Sequence, residues 1–240
     1  MIVLNYHRLC AEEPTDPWTL SHAQLEAHAD LFRPALISPG TFLERCQNTD
    51  FARTSEVLLT FDDGCESDYT EAFPRFTGES GPGFMSFIIT DIVGRPGHLS
   101  WAMIEEMGRH GVVFGSHSAS HADLTHLARG ALREEVTRSK RTLEDRLGHA
   151  VTQLAFPYGA FNRRVWTAAL EAGYTHLFTT QLGYHNGFEP FLFSRLCMTN
   201  AMDAHYVREH LEDPCRNRGL AWRISSSLGL YRPLMQLRYR

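Results

Sequence analysis

The chain has 240 residues, of which 23 are basic and 28 acidic, giving a formal net charge of −5. Its apolar fraction of 43% and charged fraction of 21% are typical of a folded globular protein and argue against wholesale disorder. The acidic balance argues against a nucleic-acid partner, because phosphate binding needs clustered Lys and Arg. The 13 histidines are many for this length and direct attention to metal and acid-base sites.

Targeting and redox signals point to the cytoplasm. No apolar run approaches the roughly 18–20 residues that a membrane-spanning helix needs. The first eight residues, Met1 to Arg8, turn polar early and show neither the charged region nor the cleavage site of a signal peptide. The five cysteines are widely spaced and form no Cys-x-x-Cys pair, which favours free thiols over disulfides or a structural zinc site.

Short apolar, β-branched runs alternate with amphipathic stretches along the chain. Helices are predicted from Ser21 to Phe32, with Ser21 as the N-cap, and from Leu132 to Leu147, with Gly148 as the stop. This alternation predicts an α/β fold: a largely parallel sheet with helices outside it, open or closed into a barrel. The predicted strands are Ile2–Tyr6, Val57–Phe61, Phe84–Thr90, Val112–Ser116, Gln153–Phe156, His176–Thr180 and Phe191–Thr199.

The last 25 residues differ from the rest, so we expect one domain over residues 1–215 and a basic tail over residues 216–240. The tail holds six arginines and no acids, which leaves 17 basic against 28 acidic residues, a net charge of −11, in the body. The tail could contact anionic lipid at the inner membrane face, a polyanionic glycan or an acidic partner. The alternative is an amphipathic helix packed on the domain with its arginines outward.

Two adjacent carboxylates, Asp62 and Asp63, directly follow the predicted strand Val57–Phe61. The carboxyl ends of strands form the edge at which α/β folds build their sites. Adjacent carboxylates repel each other unless a cation or a proton separates their roles. The alternative interpretation is a solvated Asp-Asp-Gly turn.

Two histidines, His117 and His121, follow another predicted strand. Residues four apart can face one point if the chain turns helical there, which is a spacing that zinc sites use. The alternative is a polar loop whose histidines bond only to their neighbours. Combined with one carboxylate of the aspartate pair, two imidazoles make a three-ligand set for a catalytic zinc ion.

A third cluster ends the predicted strand Gln153–Phe156 in a Pro157-Tyr158-Gly turn, which means little by itself. The three clusters together, in this order and spacing, resemble the polysaccharide deacetylase family of NodB homology (carbohydrate esterase family 4). The motifs are Thr60-Phe-Asp-Asp-Gly64, His117-Ser-Ala-Ser-His121 and Phe156-Pro-Tyr-Gly159. The resemblance covers about residues 1–200 and implies a distorted (β/α) barrel with fewer than eight regular strands.

The resemblance also implies a role for each motif residue. The ligands of one divalent metal ion, zinc foremost and cobalt, manganese or nickel otherwise, are matched by Asp63, His117 and His121. Asp62 matches the general base that takes a proton from water, and such an ion lowers the pKa of that water. The backbone N–H of Tyr158, in the turn with Pro157, matches the oxyanion donor.

The chain departs from the commonest family pattern in its acid and in the residue that holds the base. No late Leu-x-His motif follows residue 180; instead Leu4-Asn-Tyr-His7 resembles the start of circularly permuted, biofilm-type exopolysaccharide deacetylases. This resemblance assigns the acid to His7, with a capping or core-satisfied histidine as the alternative. Ala155 stands where many relatives carry an arginine that holds the base. Arg195 fits the late-strand arginine of the subgroup, with a surface arginine as the alternative.

Three further residues have competing interpretations. Cys65 follows the aspartate motif and could ligate a metal or oxidise, but a small buried filler is favoured. Trp101 and Trp166 could stack on a sugar, yet both lie in helical patterns, which favours packing in the core.

The expected function is metal-dependent removal of an N-acetyl group from an amino sugar in a saccharide or glycan. One alternative is removal of a formyl or O-acetyl group from a lipid-linked saccharide. Another is a catalytically silent carbohydrate-binding protein. The presence of Asp62 beside three candidate metal ligands argues against a catalytically silent protein, because a carbohydrate-binding module needs no general base there.

Overall fold

The computed structural model describes residues 1–47, 56–181 and 191–212. Its strands are β1 (Ile2–Tyr6), β2 (Arg8–Cys10), β3 (Thr19–Ser21), β4 (Val57–Phe61), β5 (Met85–Ile88), β6 (Val113–Ser116), β7 (Gln153–Ala155), β8 (His176–Thr179), β9 (Phe191–Ser194) and β10 (Leu196–Cys197). Its α-helices are α1 (His22–Phe32), α2 (Pro39–Gln47), α3 (Phe73–Phe76), α4 (Trp101–Arg109), α5 (Arg129–Leu147), α6 (Arg163–Glu171) and α7 (Ala204–Glu212). The basic tail lies outside the described residues, so both interpretations of it stay predictions.

Eight parallel strands form one sheet in the order β10-β1-β4-β5-β6-β7-β8-β9. Because β9 pairs with β8 and β10 pairs with β1, the two edges are joined through Arg195, which alone separates β9 from β10. The sheet therefore closes into a nearly complete barrel with helices outside, as the resemblance implies, although it has eight strands, one of them only two residues long, where fewer than eight were expected. The single strand predicted over Phe191–Thr199 is wrong, because its two halves pair with different neighbours.

The two faces of the strands form separate apolar layers, since successive side chains of a strand point to opposite faces. Leu4, Tyr6 and Leu59 belong to the outer layer, which includes the buried faces of the helices. The inner layer fills the barrel with buried residues, among them Leu58, Phe42, Met85, Phe87, Phe178 and Phe193. The ring of Phe42, from α2, lies 4.8 Å from that of Phe193 and 6.0 Å from that of Phe178. The barrel interior is thus a packed core and not a channel.

Helix ends follow the signals in the sequence. The Ser21 side chain accepts a hydrogen bond from the Gln24 backbone N–H at 3.2 Å and caps α1. Gly148 ends α5 in the left-handed conformation with φ of 73°, as predicted. Among the described residues, no helix combines the length and apolar character needed to cross a membrane.

Candidate active site

The three motifs meet at the carboxyl ends of β4, β6 and β7, around a cavity of about 420 Å³ that we name the strand-end cavity. The sequence-predicted site residues that line it are His7, Asp62, Asp63, His117, His121 and Tyr158. Pro157 and Arg195 are buried and are not among its lining residues. The structure therefore brings together residues from four separate segments of the chain, as the strand-end argument predicts.

The loops that carry these side chains are backbone-strained. Among the described residues, the non-glycine residues with positive φ are Asp63 (74°), Ser118 (63°), His121 (63°) and Tyr158 (59°). All four lie in the three motif loops, and such conformations cost about 1–3 kcal/mol each and cluster at functional sites. The segment from His117 to His121 is a turn built on these residues and not the helical turn that the spacing suggested.

Asp63, His117 and His121 form a candidate metal site, which we name the metal cluster. Its three ligand atoms lie within 4.8 Å of one another. Asp63 Oδ1 is 3.6 Å from the Nε2 atom of each histidine. Ligand atoms around a tetrahedral zinc ion, each about 2.1 Å from it, lie about 3.4 Å apart. Asp63 Oδ1 is buried and has no hydrogen-bond partner among the described residues, which an ion at this point would supply. The donor set therefore fits one divalent metal ion.

The tautomer of His117 is fixed by its surroundings. Its Nδ1–H donates to the Ala155 carbonyl oxygen at 2.9 Å, because that oxygen can only accept. Burial lowers the pKa of His117, which favours the neutral ring and leaves Nε2, 3.6 Å from Asp63 Oδ1, with a lone pair that can bind an ion. Metal-ligating histidines commonly donate their second nitrogen to a backbone carbonyl in this way.

Asp62 is buried in an ion pair with Arg195. Its two carboxylate oxygens each accept from one guanidinium nitrogen at 2.7 Å, and Asn5 Nδ2 donates to Oδ2 at 2.9 Å. Burial alone would raise the pKa of Asp62, but the guanidinium of Arg195 holds it well below its ordinary value. The carboxylate is thus ionised and fixed in orientation, which are the properties of a positioned general base.

Arg195 lies in the barrel wall and is fully buried, so the alternative of a surface arginine is wrong. Its guanidinium carbon lies 5.1 Å from the ring centroid of Phe87, at the top of the inner apolar layer. Besides Asp62, its Nη1 donates to Asn5 Oδ1 at 2.9 Å. Asn5 thus contacts both members of the ion pair, and sequence analysis missed it. A polar residue inside the apolar run Ile2–Tyr6 was the available signal.

His7 follows β1 and lies on another wall of the strand-end cavity, where its ring packs 5.2 Å from that of Trp18. His7 Nδ1 is buried and has no hydrogen-bond partner among the described residues. A histidine satisfied within the core would have such a partner, so this observation argues against that alternative. Its role as the acid stays a prediction.

The Pro157-Tyr158-Gly159 turn is pressed against the end of β8. A Cβ atom on Gly159 would lie 2.1 Å from Thr180 Oγ1, so only glycine allows this close approach. Thr179 Oγ1 also donates to the Gly159 carbonyl oxygen at 2.6 Å. The turn presents Tyr158 to the cavity, with its ring 4.6 Å from that of His121. The turn is therefore rigidly placed beside the metal cluster.

Cys65 lines the cavity but is only 2% exposed. Burial, with the carboxylates of Asp68 and Asp63 nearby, raises the pKa of its thiol to about 12. A metal ligand or an oxidisable cysteine needs the thiolate. The structure therefore favours the filler interpretation of Cys65.

Glu135, on α5, anchors the loop between the two metal-cluster histidines, and sequence analysis missed it too. Its Oε2 accepts from the backbone N–H groups of Ala119 at 3.0 Å and Ser120 at 2.9 Å. Its Oε1 accepts from Ser120 Oγ at 2.7 Å. Nothing in the local pattern of a surface helix distinguishes Glu135 from its neighbour Glu134.

Glu135→Ala is expected to weaken metal binding about tenfold, because the loop that holds His121 loses its anchor. Glu134→Ala is the matched control: Glu134 is on the same helix, 66% exposed, and only approaches Arg138 at 3.7 Å. Isothermal titration calorimetry of both variants with the metal ion measures the difference in metal affinity. Equal affinities in the two variants would contradict the anchoring role.

Comparisons with known proteins show which sequences and folds this chain is similar to. A family model described as polysaccharide deacetylase matches residues 52–177. The Bacillus subtilis (strain 168) protein YxkH, named as a polysaccharide deacetylase, is 31% identical over 127 residues, which are 53% of this chain and 45% of that protein. The chain thus spans less than half the length of this curated relative.

Solved structures share the fold. The Streptococcus pyogenes deacetylase PplD in complex with acetate matches with a TM-score of 0.76 at 20% identity, over 88% of this chain and 97% of that one. IcaB from Ammonifex degensii matches with a TM-score of 0.71 at 24% identity, over 86% and 96%. At such identities the likeness concerns the barrel alone. The family match and the three motifs together show that the chain belongs to the polysaccharide deacetylase family.

Proposed function

We propose that the chain hydrolyses the N-acetyl group of an amino sugar within a saccharide. Water adds to the acetamide carbonyl, the carbon–nitrogen bond breaks, and acetate and a free amine are formed. The observation that carries the proposal is the ionised, oriented Asp62 beside the Asp63, His117 and His121 cluster in one cavity. Membership of the polysaccharide deacetylase family supports the same reaction.

The metal cluster would hold one divalent ion, and zinc suits a set of two imidazoles and one carboxylate. Such an ion, when bound, lowers the pKa of water and polarises the carbonyl group to be attacked. Glu135 accepts hydrogen bonds from the loop that joins His117 to His121. The two histidines are therefore positioned by the fold before an ion binds.

The remaining groups divide the proton transfers between two walls of the cavity. Asp62 accepts the proton of the attacking water, with Arg195 and Asn5 fixing its orientation. The backbone N–H of Tyr158 donates to the developing oxyanion. His7 donates a proton to the leaving nitrogen. Without that proton the sugar amine would have to leave as a strongly basic nitrogen anion.

Acetate release from a panel of saccharides tests this function. The full chain, with added zinc or cobalt, is incubated with N-acetylated, N-formylated and O-acetylated sugars and oligosaccharides, and the released acid is measured. Acetate from the N-acetylated members, absent with Asp62→Asn, supports the proposal. Release only from the formyl or O-acetyl members identifies the alternative hydrolase, and saccharide binding without any release identifies a silent binding protein.

One divalent ion is expected to bind per chain and to stabilise the fold, since binding to the native state alone raises the free energy of unfolding. Elemental analysis gives the stoichiometry, and thermal unfolding with and without chelator gives the stabilisation. Asp63→Asn should abolish both effects. A wild-type chain that takes up no ion, even at excess zinc, would contradict the ligand assignment.

His7→Ala is expected to lower kcat about 10²-fold with little change in KM, because the loss of a general acid affects the transition state. Steady-state acetate release measures both constants. A substrate analogue with a better leaving group than an alkylamine should lose less activity in this variant. The same loss with both substrates would exclude His7 as the acid.

A further inference from the structure

Two large apolar side chains stand exposed in the described part of the chain, and both line the strand-end cavity. Trp18 is 49% exposed and Tyr158 is 66% exposed. Scattered exposed apolar residues are ordinary on protein surfaces, but exposed aromatic groups gathered at one cavity indicate a binding site. Sequence analysis considered Trp101 and Trp166 instead, and both pack against the hydrophobic core.

The loop that presents Trp18 is held by hydrogen bonds at several points. The Asp16 carboxylate accepts from the Trp18 backbone N–H at 2.9 Å and from Thr19 Oγ1 at 2.7 Å. Asn200 Nδ2 donates to the Asp16 carbonyl oxygen at 2.9 Å, and the Asn200 N–H donates to that of Pro17 at 3.0 Å. The half-exposed indole is thus pre-organised, which lowers the entropy cost of binding against it.

The position of Trp18 matters because its ring packs against His7. In the proposed reaction the leaving nitrogen is bonded directly to a carbon of the sugar ring. If His7 protonates that nitrogen, the ring itself must lie within one bond of it and therefore beside Trp18. No other large exposed aromatic residue among the described residues lies against His7.

We propose that Trp18 is the platform of a saccharide-ring subsite, on which the reacting amino sugar lays one face. This inference rests on the proposed function. A pyranose ring with equatorial substituents presents a face of C–H groups, which buries apolar area and meets the electron-rich face of the indole. An acyclic acetylated amine lacks the matching surface and should gain nothing from Trp18.

Two substitutions separate stacking from mere bulk. Trp18→Phe keeps an aromatic face, whereas Trp18→Leu keeps apolar volume without one. With zinc-loaded full chain and N-acetylglucosamine oligosaccharides, KM should rise about tenfold in Trp18→Leu and clearly less in Trp18→Phe. Acetate, a product that carries no sugar ring, should inhibit wild type and both variants equally. Equal inhibition shows that the rest of the cavity is intact.

An activity-independent readout keeps this inference distinct from the proposed function. The indole N–H resonance that is missing in Trp18→Phe identifies Trp18 by NMR, and it should shift when the same oligosaccharides are added to wild type. A shift without any acetate release would overturn the proposed function and leave the subsite standing. Unchanged KM in Trp18→Leu, a loss confined to kcat, or no shift of the resonance would overturn the subsite.

Discussion

Asp62→Asn is expected to lower acetate release about 10³–10⁴-fold while the chain retains its metal ion. The amide cannot accept a proton from water, and Asp62 lies outside the metal cluster, so the loss falls on the chemical step. Acetate release and elemental analysis of the same preparation measure both parts. Asp63→Asn is the matched control, since it changes the neighbouring carboxylate and should remove the metal together with the activity.

The interpretation of Asp62→Asn depends on a folded protein, because the substitution leaves Arg195 charged and buried without its carboxylate. Circular dichroism and thermal unfolding of the variant must therefore accompany the assay. Activity within tenfold of wild type, in a folded and metal-loaded variant, would remove Asp62 from the role of base. Loss of metal in Asp62→Asn would instead place it among the ligands.

Arg195→Leu is expected to lower the free energy of unfolding by about 3–5 kcal/mol, because it leaves the Asp62 carboxylate buried and uncompensated. The double variant Asp62→Leu/Arg195→Leu removes both charges and should be more stable than Arg195→Leu alone. Urea unfolding of wild type, both single variants and the double variant gives the coupling between the two residues.

The sign of this coupling distinguishes a buried ion pair from two independent core residues. Independent residues would give additive losses, whereas the paired arrangement gives a double loss well below the sum of the single losses. Arg195→Lys adds a second control: a single ammonium group cannot donate to both Asp62 oxygens as the guanidinium does. Additive losses across the cycle would contradict the pairing on which the base depends.

The residues of the metal cluster and of the proposed base could be placed in one site from the sequence, because each motif directly follows an apolar strand. Parallel strands place their carboxyl ends at one edge, so Asp62, Asp63, His117 and His121 had to meet if the strands were correct. The turn between the histidines could not be deduced, since it depends on left-handed Ser118 and not on a helical period. The spacing of four residues does allow the two histidines to meet, but through this turn and not through a helix.

Residues that act across long stretches of chain were harder to find. Arg195 and Asp62 are 133 positions apart, and only the family resemblance suggested that they meet. Asn5 and Glu135 escaped notice because one sits in an apolar strand and the other on an ordinary surface helix. Trp18 escaped because a tryptophan in a loop has no periodicity from which its exposure follows. The neighbouring sequence does not show which distant groups a side chain will hydrogen-bond, nor whether it will be exposed in the folded protein.

The closure of the barrel at Arg195 ties the proposed base to the completion of the fold. The contacts of β10 with β1 join residues such as Leu4 and Leu196, which are among the most distant in sequence in the described part of the chain, so forming them carries a large loop-closure entropy cost. Without them, Asp62 keeps its hydrogen bond from Asn5 but lacks the counter-charge and the two hydrogen bonds of Arg195. A chain that lacked this closure would therefore carry the three candidate metal ligands without the ion pair that orients the proposed base. In the proposed function, the ion pair that orients the base therefore exists only where the two ends of the barrel sequence have met.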